Sequence, residues 1–294
     1  MVTLVGLART LRTTRRPHVV LLMRFSEKRK LVTFSNGFKF RLTWSQFRTL
    51  RDSYSVMQGY SVKQIEDDLF KIKSGEFELV ASLPIVCVVA ELRQEYEVEQ
   101  VEKSLFKIKC NRFELLGTSE ILYFIREMQL GEYNCDCHGK VVLDVGGFQG
   151  ESAVFFSANG AKKVIVYEPI LAHHAFIKKN VSLNRVNAEI HEAGIGAVDG
   201  RLNRPADGEI KIRNVASVIS ESGASVAKID CEGAEESFIH VPSEILRKIE
   251  LYMIEVHTPE IKKTLIKKFR ASGFCLEKDR VKNKQLSVIF FRRI

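Results

Sequence analysis

A glycine-rich segment at residues 144–150 combines flexible backbone with an acidic side chain. It reads Asp-Val-Gly-Gly-Phe-Gln-Gly and lies where the apolar run 141–145 gives way to a helical stretch. Glycines at such a junction let backbone N–H groups approach a ligand, and the helix N-terminus adds partial positive charge. The spacing Asp-x-Gly-x-x-x-Gly differs from the Gly-x-Gly-x-x-Gly of dinucleotide folds. Since a carboxylate suits a cationic or amino-bearing ligand better than a pyrophosphate, we expect a nucleoside-type ligand with a cationic group.

A second acid, Glu168, follows the next apolar run, 163–167. The end of the second strand is the usual place for an acid that hydrogen-bonds ribose hydroxyls. Together with Asp144 it fits S-adenosylmethionine, which carries an aminoacyl cation and a ribose; the alternative is a structural glycine turn with two surface acids. The cofactor contacts we predict are Asp144, Gly146, Gly147, Phe148, Gln149, Gly150, Glu168, Pro169, Gly194, Ile195 and Asp230.

Acids and a histidine end two later apolar runs. Asp230 and Glu232 follow the run 226–229, and Glu255 and His257 follow 251–254. Ligands of doubly wound sheets bind beyond the carboxyl ends of the strands, so these side chains should converge. Transfer of a methyl group to a hydroxyl needs a positioned acceptor and a base. His257 is the first candidate for the base and Asp230 the second, with Glu232 and Glu255 completing the catalytic set; alternatively, His257 only bonds backbone at the strand end.

Metal binding is a weaker prediction. The carboxylates and His257 could hold Mg²⁺, which prefers oxygen ligands, although no spacing demands it. Cys135, Cys137 and His138 offer soft ligands, but the second pair that a zinc site needs is not evident. We therefore predict no metal site and ordinary thiols.

The elements that must position these residues alternate regularly from residue 139 onward. Apolar runs at 141–145, 163–167, 188–193, 226–229 and 251–254 predict strands, and 172–183 and 260–271 predict helices. The runs 274–277 and 286–291 predict an antiparallel hairpin at the edge. This alternation predicts the α/β class, with a doubly wound, mostly parallel seven-stranded sheet.

These motifs resemble the FkbM family of class I methyltransferases. The matching segments are residues 142–152, 167–169, 180–184, 228–235 (Lys-Ile-Asp-Cys-Glu-Gly-Ala-Glu) and 254–257, preceded by Thr-Ser-Glu at 118–120 and Gly-Glu-Tyr at 131–133. The sequence departs from the family at Gly147, Phe148 and Cys231, which leaves the carboxylates and the other glycines in place. The resemblance implies a methyltransferase domain over 118–294 that uses S-adenosylmethionine. It also implies O-methylation of a hydroxyl on a sugar, a glycan or a small metabolite.

The first 117 residues lie outside this resemblance. Three segments, 31–42, 69–79 and 105–115, alternate apolar and polar residues around Asn36-Gly37, Ser74-Gly75 and Cys110-Asn111. Such pairs are typical of hairpin turns, and helical pieces are expected between them at 61–68 and 91–103. We therefore predict a basic, β-hairpin-rich N-terminal region over 1–117. The three segments are either related units or hairpins that resemble one another because all hairpins alternate.

Positive charge is concentrated at the N-terminus. Residues 1–60 carry 12 Lys+Arg and 2 Asp+Glu, or +10, whereas the whole chain of 294 residues has a net charge of +9. This segment could contact nucleic acid, an anionic surface or a phosphorylated substrate, or be a solvated arm without a partner. An RNA methyltransferase is therefore the alternative function, although we find no Asn/Asp-Pro-Pro-aromatic motif. A scaffold without transfer activity is a third hypothesis, which the retained site residues disfavour.

Composition restricts the class of protein. Hydrophobic residues make up 45% of the chain, so a disordered or fibrous protein is excluded. The six cysteines lack the pattern of a disulfide framework, and no apolar run reaches the length of a membrane span. We expect a cytoplasmic protein; its oligomeric state is left open.

Overall fold

The computed structural model describes residues 13, 14, 23 and 29–294. The chain divides into two compact units, an N-terminal unit that ends at Phe106 and a C-terminal unit over Lys107–Ile294. The domain boundary expected at residue 118 stays a prediction. Much of the basic N-terminus lies outside the described residues, namely Arg9, Arg12, Arg15, Arg16, Arg24 and Lys28. Among the described helices, none is long and apolar enough to cross a membrane.

The N-terminal unit alternates short antiparallel strands with helices. Its elements in chain order are β1 (Lys30–Thr33), β2 (Lys39–Leu42), α1 (Trp44–Asp52), α2 (Tyr54–Met57), β3 (Ser61–Gln64), β4 (Leu69–Ser74), β5 (Phe77–Ser82), α3 (Leu83–Leu92) and β6 (Glu97–Glu102). β1 pairs with β2, and β4 lies between β3 and β5 in a second sheet. Both hairpins predicted within this unit, at 31–42 and 69–79, are confirmed.

The helices predicted at 61–68 and 91–103 are wrong. Residues 61–64 form β3, in which Val62 lies opposite Ile72 of β4. Residues 97–102 form β6, and only the end of α3 overlaps the second predicted helix. In β3 the side chains alternate between exposed and half-buried positions, as expected for a strand at a sheet surface. Cross-strand packing decides the structure of such short polar segments, because their local preference for helix is weak.

The C-terminal unit contains the predicted α/β domain. Its elements are β7 (Leu105–Lys109, which begins at the junction of the units), β8 (Glu114–Thr118), α4 (Ile121–Gln129), β9 (Val141–Val145), α5 (Glu151–Ala158), β10 (Lys163–Tyr167), α6 (Leu171–Leu183), β11 (Ala188–His191), β12 (Gly194–Gly196), β13 (Gly200–Arg204), β14 (Gly208–Asn214), α7 (Val215–Ser222), β15 (Val226–Ile229), a 3₁₀ helix (Ala234–His240), α8 (Ser243–Leu246), β16 (Leu251–Val256), α9 (Pro259–Ala271), β17 (Phe274–Val281) and β18 (Ser287–Arg293). The third predicted hairpin, β7–β8, is confirmed.

A seven-stranded sheet forms the centre of this unit, in the order β11-β10-β9-β15-β16-β18-β17. The first five of these strands run parallel, and β18 is antiparallel to both of its neighbours. The predicted sheet and its edge hairpin are thus confirmed. β12, β14 and β13 form a separate small sheet that the sequence did not predict.

The central strands explain where the functional side chains lie. β15 and β16 are buried along their whole length, as near-continuous apolar strands covered on both faces usually are. Strand order reverses between β9 and β15, so the connections leave the sheet in opposite directions there and open a crevice at the carboxyl ends. Polar residues that follow these strands therefore meet at one edge of the sheet.

Side-chain amides fasten β8 to the domain. The backbone N–H groups of every second residue in β8 donate to the side-chain oxygens of Asn184, Asn180 and Gln149, over 2.9, 2.8 and 2.9 Å. The amide nitrogens of Asn184 and Asn180 donate back to carbonyls of the same strand. These amides therefore replace a neighbouring strand, and they connect β8 directly to the glycine-rich segment.

Candidate cofactor and acceptor site

A cavity of about 880 Å³ opens at the carboxyl ends of β9, β10 and β15. This volume lies within the usual range for small-molecule sites. Of the residues predicted from sequence, the cavity is lined by Gly146, Phe148, Glu168, Pro169, Gly194, Ile195, Asp230 and Glu232. Residues from distant parts of the chain therefore meet where the sequence placed the cofactor.

Glycine is required at position 146. Its φ is +80°, and a Cβ atom there would lie 1.7 Å from the backbone oxygen of Asp230. The N–H groups of Gly146 and Gly147 donate to the carbonyl of Tyr167, over 2.9 and 3.2 Å. The turn therefore fits tightly between β10 and the end of β15, and no larger residue could occupy it without moving backbone.

Glu168 is held by backbone groups at the cavity wall. Its carboxylate accepts hydrogen bonds of 2.9 Å from the N–H of Phe148 and 2.9 Å from that of Ile170, and its Oε1 lies 3.1 Å from Nδ1 of His173. Phe148 itself has a positive φ of 42°, which this bond helps to maintain. A carboxylate accepts about four hydrogen bonds, so Glu168 keeps acceptor capacity for a ligand hydroxyl.

Four predicted cofactor contacts do not line the cavity: Asp144, Gly147, Gln149 and Gly150. Asp144 is fully buried, accepts a 2.6 Å bond from the hydroxyl of Ser152 and lies 3.3 Å from the ammonium of Lys228. We expected it to face a cationic ligand. Successive residues of a strand point to opposite faces, so Val145 lines the cavity while Asp144 points to the other face of β9. Through Lys228, Asp144 supports the glycine turn on the side away from the cavity.

Lys228 is a functional candidate that the sequence analysis missed. It is 2% exposed, donates a 2.6 Å bond to the carbonyl of Gly146 and lies 3.3 Å from Asp144 and 3.8 Å from Asp230. Burial alone would lower the pKa of this lysine, but Asp144 and Asp230 raise it above its ordinary value. The ammonium therefore ties the glycine turn to both carboxylates. A lysine inside the apolar run Val-Ala-Lys-Ile was the available signal.

Tyr133 connects the cavity to a second group of acids. Its hydroxyl lies 2.9 Å from Oε2 of Glu255 and 3.3 Å from Oδ2 of Asp230, and the side chain is 2% exposed. The structure thus brings two predicted catalytic residues together, Asp230 at the cavity and Glu255 behind it. Burial and the nearby charge of Asp230 raise the pKa of Glu255.

Lys282 lies at the centre of the acids behind the cavity. Its ammonium is 2.9 Å from Glu255, 3.0 Å from Glu132 and 2.9 Å from Glu127. Burial raises the pKa of Glu132 to about 7, so this carboxyl is partly protonated at neutral pH. We call the following six residues the acid cluster: Glu127, Glu132, Tyr133, Asp230, Glu255 and Lys282.

His257 is held by carboxylates on both sides. Its Nδ1 and backbone N–H lie 3.0 and 3.1 Å from Oε1 of Glu235, and its Nε2 lies 3.4 Å from Glu232. The hydrogen bond with Glu235 raises the pKa of His257 to about 9, so the ring carries a proton at neutral pH. This charge state argues against His257 as the base. Glu235 is fully buried and pairs with this imidazolium.

The same residues were considered for Mg²⁺. Asp230, Glu255 and His257 each place one ligand atom within 4.8 Å of the others. However, the carboxylate of Glu255 already accepts bonds from Tyr133 and Lys282, and His257 is a cation. A metal ion would have to displace an ammonium group. The described part of the chain therefore gives Mg²⁺ no support.

Comparison with known proteins identifies the fold. No family model matches the sequence, and no curated protein matches it. A candidate S-adenosylmethionine-dependent methyltransferase from Streptococcus mutans superposes with a TM-score of 0.50, at 12% identity over 97% of this chain and 96% of that one. A candidate methyltransferase complexed with S-adenosylhomocysteine gives 0.50, at 12% identity over 90% and 87%. Fibrillarin of Aeropyrum pernix, with bound S-adenosylmethionine, gives 0.43, at 12% identity over 79% and 97%. The two neighbours with TM-scores of 0.50 show that the chain has the class I methyltransferase fold; its membership of the FkbM family stays a prediction.

Proposed function

We propose that this protein is an S-adenosylmethionine-dependent methyltransferase of the FkbM type. The observation that carries the proposal is the convergence of Gly146, Glu168 and Asp230 on one cavity at the carboxyl ends of three parallel strands. The two neighbours with TM-scores of 0.50 support it, since both are described as methyltransferases and one holds S-adenosylhomocysteine.

The cavity suits this cofactor chemically. Glu168 would accept the ribose hydroxyls, and Pro169 and Ile195 offer apolar surface for the adenine. Carboxylates outnumber cationic side chains among the described lining residues, and the guanidinium of Arg204 is paired with Asp207 at 3.3 Å. A negatively charged cavity favours a cationic ligand. When bound, the cofactor would supply a methyl group on a positively charged sulfur.

The acceptor we propose is a hydroxyl of a sugar, a glycan or a small metabolite. Asp230 lines the cavity and would take the hydroxyl proton, because His257 is already protonated at neutral pH. The choice of acceptor class rests on the family resemblance. The acidic lining supports it as well, since it would repel a substrate rich in phosphate.

An RNA acceptor is the second candidate, and the charge of the N-terminus favours it. Residues 1–60 carry a net charge of +10. Binding of RNA by the full chain that weakens steeply between about 50 and 200 mM salt would support this candidate, because released counterions dominate such affinity. RNA binding that is absent at low salt would exclude it.

A labelled-methyl transfer assay tests the proposed function. The full chain would be incubated with methyl-labelled S-adenosylmethionine and cell extract separated into RNA, lipid, glycan and small-molecule fractions. We expect label in the glycan or small-molecule fraction and a loss of at least 100-fold in Asp230→Asn, which cannot take the proton. Label confined to the RNA fraction would show that the acceptor is RNA and not a glycan or a small metabolite. Failure of the wild type to bind S-adenosylmethionine by calorimetry would overturn the proposal.

A further inference from the structure

The acid cluster contains more carboxylates than the reaction needs. Within the acid cluster only Asp230 lines the cavity; Glu255, Glu132 and Glu127 lie farther from it, grouped around the ammonium of Lys282. Carboxylates in this cluster outnumber its ammonium group, and burial raises the pKa of two of them, Glu132 and Glu255. Glu132, whose pKa is raised to about 7 by burial, is the clearest example.

Tyr133 gives this proton store access to the cavity. Its single hydroxyl proton has two acceptors, Glu255 at 2.9 Å and Asp230 at 3.3 Å. Because Tyr133 is 2% exposed, bulk water does not replace it as the link. A proton arriving on Asp230 can therefore be donated to the Tyr133 oxygen while the proton of Tyr133 moves to Glu255.

We propose that the acid cluster exchanges a proton according to the charge of the ligand in the cavity. The cluster releases a proton when a sulfonium ligand binds and takes one up when the ligand becomes a neutral thioether. This inference rests on the proposed function, and it makes the cluster the place where the proton of the acceptor hydroxyl is stored until the products leave.

The step balances without another reactant. The acceptor oxygen forms a bond to the methyl carbon while the carbon–sulfur bond breaks and its electron pair stays on sulfur. The hydroxyl proton moves to Asp230 and, through Tyr133, to Glu255. One positive charge on sulfur disappears and one proton is gained by the cluster, so the total charge of the site is unchanged.

Electrostatics gives the expected size. A unit positive charge about 8 Å from a carboxyl group, at an effective dielectric constant of about 20, shifts its protonation equilibrium roughly tenfold or more. A carboxyl group that is half protonated at pH 7 would then lose most of its proton. Glu132, with a pKa of about 7, is half protonated at this pH, and its contacts reach the cavity through Lys282, Glu255 and Tyr133.

Other charged groups also face the cluster and must be distinguished from it. Lys228 lies between Asp230 and Asp144, and burial raises the pKa of Glu151, farther behind the turn, to about 8. His257 comes directly after the end of β16 and is a cation. On the far side, the guanidinium of Arg280 donates to the carbonyl of Gly131. A variant of Glu132 therefore separates the cluster from these neighbours.

Calorimetry of the full chain tests the proposal without an acceptor. S-adenosylmethionine and S-adenosylhomocysteine would be titrated separately at pH 7 into protein in phosphate, Hepes and Tris, whose ionisation enthalpies differ. The slope of binding enthalpy against ionisation enthalpy gives the protons exchanged. We expect the sulfonium ligand to release a few tenths of a proton more than the thioether, since a half-protonated group loses at most ~0.5 proton.

Two variants assign the protons. Glu132→Gln should reduce the difference between the ligands by at least half, and Glu250→Gln, a surface carboxyl paired with Lys140, should leave it unchanged. Equal proton numbers for both ligands in the wild type would overturn the inference, as would an undiminished difference in folded Glu132→Gln. If Glu132→Gln does not fold, the wild-type comparison still decides. Absence of binding by either ligand would instead contradict the proposed function.

Discussion

The two walls of the cavity hold their carboxylates in different ways. On one wall, Glu168 accepts hydrogen bonds from the backbone N–H groups of Phe148 and Ile170. On the other, Asp230 faces the phenol of Tyr133 and the ammonium of Lys228. Backbone donors never titrate, and the sheet fixes their positions. Side-chain donors belong to a network whose protonation depends on its neighbours.

This difference matches the two tasks of the proposed reaction. Recognition of a ribose needs an acceptor of constant charge and position, which a backbone-held carboxylate provides. Removal of a proton needs a group whose charge can change, which the acid cluster provides. Substitutions that disrupt one wall or the other should separate these two tasks, and they are ordered from the largest expected loss of stability or binding to the smallest.

The backbone-held wall should tolerate almost no change at Gly146. In Gly146→Ala the new Cβ would meet the backbone oxygen of Asp230 at 1.7 Å, and φ is +80°. We expect a loss of about 4 kcal/mol of unfolding free energy, combining overpacking with the left-handed backbone, and no measurable cofactor binding. Urea unfolding and calorimetry would measure both.

Gly223→Ala is the matched control for this substitution. Gly223 also has a positive φ, +61°, but nothing lies within 4 Å of its added Cβ. It should cost about 1 kcal/mol and leave binding unchanged. Equal losses in the two variants would mean that backbone conformation alone, without the contact between the strands, requires glycine at 146.

Lys228 joins the two walls, so its removal should be the next most damaging change. Lys228→Met would leave Asp144, which is fully buried, without a cation. Breaking a buried pair costs about 3 kcal/mol or more, because one charge stays uncompensated. Thermal or urea unfolding measures the loss. The double variant Lys228→Met, Asp144→Asn should recover part of it, and failure to recover any would contradict the charge argument.

Part of the pH dependence of stability should come from His257, which lies 3.4 Å from Glu232 of the side-chain-held wall. His257 has a pKa of about 9 in the folded protein, above its ordinary value of about 6.5. Its contribution is therefore complete below pH 6.5 and is lost as the pH rises through 9. Because a fifth of the side chain is exposed, we expect only ~1–2 kcal/mol of this contribution.

His257→Gln measures this contribution. The difference in unfolding free energy between wild type and variant, followed in urea from pH 6 to 10, should shrink as the pH rises. Glu235→Gln should weaken the same dependence, since Glu235 holds the imidazolium at 3.0 Å. A difference that is constant across this range would show that folding does not raise the pKa of His257.

The parts of the site that could be predicted from sequence are those whose residues lie close together along the chain. The glycine turn and Glu168 lie in one strand–helix–strand unit, so their spacing predicted their place in the cavity. Tyr133 and Glu255 are 122 positions apart, and Glu127 and Lys282 are 155 apart, so no local pattern indicated the acid cluster. Their contact depends on the order of strands in the sheet and on the loop after β17.

Asp144 and the segment 61–68 show two limits of prediction from a single sequence. Asp144 is predicted to contact the cofactor, whereas in the structure it does not line the cavity, because strand alternation directs it away from the face of Val145. The helix expected at 61–68 ignored the alternation of exposed and half-buried positions in β3, which only pairing with β4 makes decisive. Pairing with β4 makes residues 61–64 a strand, and this pairing is not encoded in the short polar segment itself.

Removing the ribose acceptor should have a moderate effect confined to binding. In Glu168→Ala the N–H groups of Phe148 and Ile170 lose their acceptor, and the proposed ribose contact disappears. We expect S-adenosylmethionine affinity to fall at least tenfold, or about 1.4 kcal/mol, by calorimetry. Glu168→Gln keeps one acceptor oxygen and should lose less. Unchanged affinity in Glu168→Ala would remove Glu168 from the cofactor site.

The smallest effect should come from Glu232, although it lies on the same wall as Asp230. Its side chain is 82% exposed, and its carboxylate lies 3.4 Å from His257, whose other nitrogen is already bound by buried Glu235. Exposed ion pairs contribute little, so Glu232→Gln should change unfolding free energy by no more than ~0.5 kcal/mol. Cofactor affinity should change less than about threefold, since loss of a solvated charge is largely screened. A tenfold loss of affinity would mean that solvent-exposed carboxylates also attract the cationic ligand, and the functional wall would then extend to the cavity rim.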